Sequence, residues 1–158
     1  AIEWKGFDVS IFFQGTARVS LFEEGSTIVP FSSGYKNNDG FLRGVMENRW
    51  TVDNPDPNAR YPRTIRPSDA LDNNNTKKSS FWVRNAAFLR LKNAEIGYTF
   101  PKRWMEKMAI QNLRLYVSGV NLLTWAPDVH LFDPDLGSGD GRKYPPTRVF
   151  NVGLNINF

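Results

Sequence analysis

The sequence has no cysteine and a single histidine, His130. The first absence removes disulfides, thiolate zinc sites and thiol nucleophiles together. The second leaves His130 without a second His or Cys to build a metal site or a triad, so it reads as a loop-surface residue. Long hydrophobic runs are missing as well. No stretch approaches the roughly 18 to 20 consecutive apolar residues that a transmembrane helix needs. A β-barrel is not excluded by this, because a spanning strand needs only about 9 to 11 residues with alternate positions polar. The mean hydropathy of −0.45 is compatible with such a chain. The chain opens Ala1-Ile2-Glu3-Trp4 without an initiator Met or an apolar leader, and is expected to be a mature product or a fragment.

What is present points to strands and turns. Aromatics reach 14% against 41% hydrophobics overall, with 12 glycines and 10 prolines among 158 residues, a balance that favours an all-β chain over a helical one. The net charge of +4 is not gathered in one run. Arg60, Arg63 and Arg66 lie in a Pro-rich stretch, Lys77 and Lys78 follow an Asn run, and Lys102, Arg103 and Lys107 share one connection. Scattered in this way they read as solvated surface, and no nucleic-acid motif arranges them.

Along the chain, residues 6–21 form the first expected strand, with Phe7, Val9, Ile11 and Phe13 alternating with Asp8, Ser10, Phe12 and Gln14. Residues 22–85 are rich in Gly, Pro, Asn and Ser and hold no sustained period, which makes them a long connection. The second strand, 87–99, keeps Leu89 and Leu91 on one face with Ala94, Ile96 and Tyr98 only if one residue is inserted, so a β-bulge is expected near Lys92-Asn93. Pro101 stops that strand, and residues 101–112 read as a short helical turn. Strands follow at 113–122 and 148–158, separated by a second long loop at 124–147. In the last strand Phe150, Val152, Leu154, Ile156 and Phe158 alternate without error with Asn151, Gly153, Asn155 and Asn157.

The connections therefore alternate long, short, long. Bacterial barrels place short turns on the periplasmic side and long loops outside. With a periplasmic C-terminus, 101–112 is a periplasmic turn and 22–85 and 124–147 are extracellular. Phe158, a terminal aromatic continuing the apolar face, fits an assembly signal at the membrane interface. The other reading of the same strands is a soluble secreted β-sandwich that binds carbohydrate, in which the apolar faces would meet each other.

Few motifs carry chemistry. Asp133, Asp135 and Asp140 stand among glycines as in a calcium loop, but the EF-hand spacing fails, and Asp side chains capping backbone amides of a turn are the simpler account. The run Gly137-Ser138-Gly139-Asp140-Gly141 lacks the Gly-Lys-Ser/Thr ending and following helix of a phosphate cradle. No carboxylate pair is singled out for glycosidase work, and no enzymatic activity, metal or cofactor is expected. Trp50, Tyr61, Trp82, Trp125 and Tyr144, with Arg60, fall in or beside the loops and are candidate contacts for a sugar, a peptide or a lid. The competing account is that these rings pack the loops or mark the membrane interface.

The wording of these segments resembles the C-terminal end of the SusC/RagA family of TonB-dependent outer-membrane receptors. The resemblance rests on Trp4-Lys5-Gly6-Phe7-Asp8 with Gln14-Gly15, on Asn48-Arg49-Trp50-Thr51 with Asn54-Pro55 and Pro62-Arg63, and on Phe88-Leu89-Arg90-Leu91-Lys92-Asn93 leading into Gly97-Tyr98-Thr99-Phe100-Pro101. It continues through Leu113-Arg114-Leu115-Tyr116-Val117-Ser118-Gly119 with Asn121-Leu122, Asp133-Pro134-Asp135, Tyr144-Pro145-Pro146-Thr147-Arg148 and Gly153-Leu154-Asn155-Ile156-Asn157-Phe158. Phe88 and Asp135 stand where the family usually shows Tyr and Glu. The resemblance implies the last four strands of a large transmembrane barrel of about 22 strands with an N-terminal plug. Four strands alone would expose unpaired backbone groups to lipid, so the segment must pair with the remainder of the barrel. It further implies TonB-energised import of a glycan or peptide oligomer across the outer membrane. The implied partners are a SusD-like surface lipoprotein over the loops, TonB acting through an upstream part, and outer-membrane lipid, with no nucleic acid.

Overall fold

A computed structural model describes residues 1–25, 28–29, 42–64, 74–105, 109–139 and 142–158. They form two compact units. A sheet unit comprises Ala1–Ala17, Ala87–Ala126 and Pro146–Phe158, and a loop unit comprises Arg18–Ala86 and Pro127–Pro145. The strands in chain order are β1 (Ile2–Trp4), β2 (Phe7–Thr16), β3 (Ser20–Phe22), β4 (Val83–Asn85), β5 (Phe88–Thr99), β6 (Asn112–Trp125) and β7 (Val149–Asn157).

The sheet unit is one antiparallel sheet in the order β1-β2-β5-β6-β7. Besides the four long strands expected from the alternation, it includes β1, joined to β2 through Lys5 and Gly6. Both take positive φ, 49° and 88°, as the tight hairpin turn matching strand twist demands. The expected strand at 6–21 divides: β2 ends at Thr16, Arg18 adopts φ 59°, and Ser20–Phe22 pairs instead with Val83–Asn85 in the loop unit. Three residues at either place are too few for a period to register.

The inserted residue falls on Lys92. Phe12 faces Asn93 and Phe13 faces Leu91, so Lys92 has no opposite number on β2 and the hydrophobic set of β5 stays on one face. Cross-strand rows then sort by character. Phe7–Tyr98–Leu115–Leu154 and Val9–Ile96–Val117–Val152 lie on one face, while Asp8–Gly97–Tyr116–Gly153 and Ser10–Glu95–Ser118–Asn151 lie on the other. The apolar face is uncovered, with Val152 75% exposed. A sandwich would bury these side chains, so the sandwich alternative is not the observed arrangement.

The short connection keeps a four-residue helix, α2 (Lys102–Met105), framed by Phe100 N–H donating to Leu113 O at 2.9 Å and Gln111 N–H to Asn157 O at 2.8 Å. Lys107 lies outside the described residues, as do Arg66 and Asp140.

The described residues of the long connections build a core that their lack of period does not suggest. In the loop unit Ile28, Val29, Val45, Tyr61 and Trp82 form a buried cluster flanked by Phe22, Leu42, Leu131 and Phe132. Val45 comes from a one-turn helix, α1 (Arg43–Glu47). Leu21, Ala86 and Val129 form a second cluster.

Candidate functional site

Among the described residues each unit contains a charged network of three or more side chains. On the polar face of the sheet, Arg114 of β6 reaches two strands: its Nε donates to Asp8 Oδ1 at 2.9 Å and its Nη2 to Glu95 Oε1 at 2.7 Å, with a further bond to Asp8 Oδ2. Charge-assisted bonds of this kind fix geometry as well as energy. Glycine makes the room. A Cβ on Gly97 would overlap the Arg114 guanidinium, and one on Gly153 would overlap the Tyr116 ring. Arg114 and Tyr116 therefore lie flat over their glycine neighbours, with the guanidinium 5.0 Å from the ring centroid.

In the loop unit the centre is Glu23, whose side chain is 0% exposed. A carboxylate so placed must be paired and hydrogen-bonded. Arg84 Nε donates to Oε2 at 2.8 Å, Arg60 Nη2 approaches Oε1 at 3.4 Å, and the Tyr61 hydroxyl lies 3.4 Å from both oxygens. Arg60 Nη1 also donates to Asp128 Oδ1 at 2.9 Å, and Asp128 Oδ2 accepts the Asn85 amide at 2.8 Å. Burial alone would raise the Asp128 pKa, but the Asn85 amide and Arg60 outweigh it and hold the carboxyl below its usual range. Burial pushes the Tyr61 hydroxyl above its usual range, against the opposing bond from Arg60. The network joins four stretches that are distant in sequence, around residues 23, 60, 84 and 128. Its donors and acceptors are turned on one another, an arrangement suited to holding loops in place rather than to acid–base chemistry.

The sequence-derived candidates disperse. Tyr61 and Trp82 are 2% and 3% exposed, with ring centroids 6.5 Å apart, and Trp82 Nε1 donates to Asn75 O at 3.1 Å. Their surfaces are spent inside the loop core. Arg60 serves the Glu23 network. Trp50 is half-buried and donates its amide to Tyr61 O at 2.9 Å. Trp125 belongs to the sheet unit, opposite Leu89 at the end of β6. Tyr144 stands 84% exposed, and Phe158 is exposed beyond β7. His130 is exposed.

Asp133 caps a turn: its Oδ1 accepts the Asp135 amide at 3.0 Å at the start of Pro134–Leu136. Among the described residues no three His, Cys, Asp or Glu side chains gather as metal ligands. Ser138 and Gly139 run beside β3. Phe22 N–H donates to Ser138 Oγ at 3.0 Å and Gly139 N–H to Phe22 O at 3.0 Å. Glu23, Arg84 and Asp128 escaped the sequence reading because nothing local marks them. Asp8, Glu95 and Arg114 could have been found as charges recurring at the polar positions of neighbouring strands.

No family model matches the chain. Its sequence is 29% identical over 170 residues to TonB-dependent receptor P3 of Formosa agariphila, and 29% identical over 171 residues to receptor P26 of the same organism, each match covering 99% of this chain. Over 83 residues, 51% of the chain, it is 31% identical to TonB-dependent receptor SusC of Bacteroides thetaiotaomicron. The chain spans 15% and 16% of the length of the two Formosa relatives. The fold matches solved structures of the RagAB peptide transporter with a TM-score of 0.68 at 23% identity, covering 99% of this chain and 16% of that one. The closed-closed state of the RagAB peptide importer gives 0.67 at 23% identity. With one apolar and one polar face to its sheet, and with 99% of its length similar to TonB-dependent receptors, the chain has the fold of a segment of such a receptor's outer-membrane β-barrel.

Proposed function

We propose that this chain forms part of the wall and outer loops of a non-enzymatic importer that takes up a glycan or peptide oligomer with energy delivered through TonB. The observation that carries the reading is the division of the sheet into a lipid-compatible apolar face and a face of Asp8, Glu95, Arg114, Tyr116 and Asn151 suited to a wet lumen. The long connections 22–85 and 124–147 lie outside the cell, where a SusD-like lipoprotein docks over them, and 101–112 lies in the periplasm. Tyr144, open and next to Arg142 and Lys143, and the partly open Trp50 are the loop residues offered to substrate or lid. Support for the class of cargo comes from similarity to receptors and to a peptide transporter.

The test is uptake of fluorescent peptide and glycan oligomers by cells with and without the full receptor, with and without a protonophore. Energy-dependent uptake of one class that disappears on deletion is expected. Uptake indifferent to both deletion and protonophore would overturn the reading.

A further inference from the structure

The polar face of the sheet changes character along its strands. The row Ser10–Glu95–Ser118–Asn151 is followed, two residues along each strand, by Phe12–Asn93–Val120–Val149. Phe12, the residue that departs from the polar pattern of β2, is 55% exposed there. Within the sheet unit, at these rows, lies a recess of about 300 Å³. It is floored by the strands at Ala94 and Gly119 and lined by Ser10, Asn93, Glu95, Ser118 and Val120.

Its side chains differ from those of the Glu23 network in being unspent. Among the described residues nothing hydrogen-bonds the Ser10 and Ser118 hydroxyls or the Asn93 side-chain amide. The Glu95 side chain is 35% exposed: its Oε1 accepts from Arg114 at 2.7 Å, and its Oε2 has no donor among the described residues. Arg114 thus fixes an acceptor beside two hydroxyls and an amide, each of which can both donate and accept. Such a set is organised before any ligand arrives.

The chemistry of the set narrows what it holds. An anion is disfavoured, because two carboxylates, Asp8 and Glu95, surround the single Arg114 and engage it fully. An ammonium group only donates, so it leaves the donors of Ser10, Ser118 and Asn93 unused. A peptide main chain captured by strand addition needs an open sheet edge, whereas β2, β5 and β6 are each paired on both sides. An uncharged sugar ring meets every requirement. Its hydroxyls donate and accept around the rim, and its C–H face is apolar. The polar row serves the rim, and Phe12 beside Val120 serves the C–H face. The volume is at the lower end of ligand pockets, room for one ring rather than for a chain.

We propose that this recess is a saccharide subsite on the inner wall of the barrel, holding one uncharged sugar residue through Ser10, Asn93, Glu95 and Ser118 with Phe12 against its C–H face. It rests on the import reading and names, within it, a neutral glycan as cargo and one place where that cargo touches the wall. The full receptor is photolabelled with diazirine-bearing neutral oligosaccharides of glucose, mannose and galactose, and in parallel with a diazirine-bearing lysine-rich peptide, and the adducts are mapped by mass spectrometry. Saccharide adducts at residues 10–12, 93–95 or 118–120 are expected, competed by the unlabelled oligosaccharide. The double variant Ser10→Ala with Ser118→Ala, and separately Phe12→Ala, should each cut them at least fivefold, while Val152→Leu on the opposite face leaves them unchanged. Heat-modifiability on gels reports the folding of each variant. No saccharide adducts at the recess, adducts there from the peptide alone, or adducts indifferent to the substitutions would overturn the proposal. Glycan uptake that persists with the recess unlabelled removes the subsite and leaves import standing, whereas uptake indifferent to deletion and protonophore removes import by a separate measurement.

Discussion

Arg84 Nε lies 2.8 Å from Glu23 Oε2, and the carboxylate it holds has no exposure to solvent. Removing one member of a buried pair leaves the other charge uncompensated, which costs roughly 3 to 5 kcal/mol. Here Glu23→Ala strands Arg84 and weakens the hold on Arg60 at once. The expected outcome is local opening of the loop unit with the sheet unit intact, because the ladders of β2, β5, β6 and β7 do not involve Glu23. Hydrogen exchange followed by mass spectrometry checks it: faster exchange at residues 20–23, 60–61 and 83–85, unchanged exchange at 88–99 and 113–124. Uniform protection in the variant would show that the network is dispensable.

Gly153 makes a different kind of claim. The Tyr116 ring occupies the space where a Cβ would sit, so Gly153→Val forces the ring off the sheet or the strands apart, at a cost of about 1 to 3 kcal/mol. Tyr116→Ala should relieve most of that penalty, since the two changes share one volume and cannot add. The temperature at which the full receptor loses its fast-migrating gel band measures each variant. Simple additivity in the double variant would refute the packing account.

These two relationships show what could be read in the chain and what could not. The error-free alternation from Phe150 to Phe158 and the parity break at Lys92 are local patterns, legible because a strand's period is two and any slip exposes itself. The pairing of Ser20–Phe22 with Val83–Asn85 joins three-residue pieces some sixty residues apart, and nothing in either piece announces the other. Tyr61 and Tyr144 illustrate the same limit for the candidate site. Both are loop tyrosines near arginine, yet one is packed inside and the other stands open, a difference set by long-range contacts to Glu23, Val45 and Trp82. Composition could say that aromatics crowd the loops. It could not say which of them the loop core would consume.

The Asp128 carboxyl is held below its ordinary value by the Asn85 amide and Arg60. The unfolded loop therefore binds a proton more readily than the folded one, so stability from this group is present above the ordinary carboxylate range and is lost as pH falls through the lower folded value. Proteolytic nicking of the loops should accelerate as pH drops from about 5 toward 3, the range in which free carboxylates begin to protonate. Asp128→Asn should nick faster at neutral pH and show a shallower change on acidification. A variant whose pH profile matched the wild type would assign the acid sensitivity to other carboxylates.

Val152 lies at the centre of β7, 75% exposed, on the face that the fold turns toward lipid. An arginine at the bilayer midplane of a barrel costs about 2 to 4 kcal/mol, whereas one facing the lumen meets water and costs little. Val152→Arg should therefore reduce the folded, membrane-inserted fraction of the full receptor severalfold, while Asn151→Arg, one residue away on the opposite face, should leave it nearly unchanged. Both variants place the same charged side chain at adjacent positions of one strand, so the introduced charge itself does not account for the contrast. Fractionation of outer membranes with heat-modifiability gels reads both. Equal tolerance of the two substitutions, or greater damage at Asn151, would mean that the faces are assigned the wrong way round.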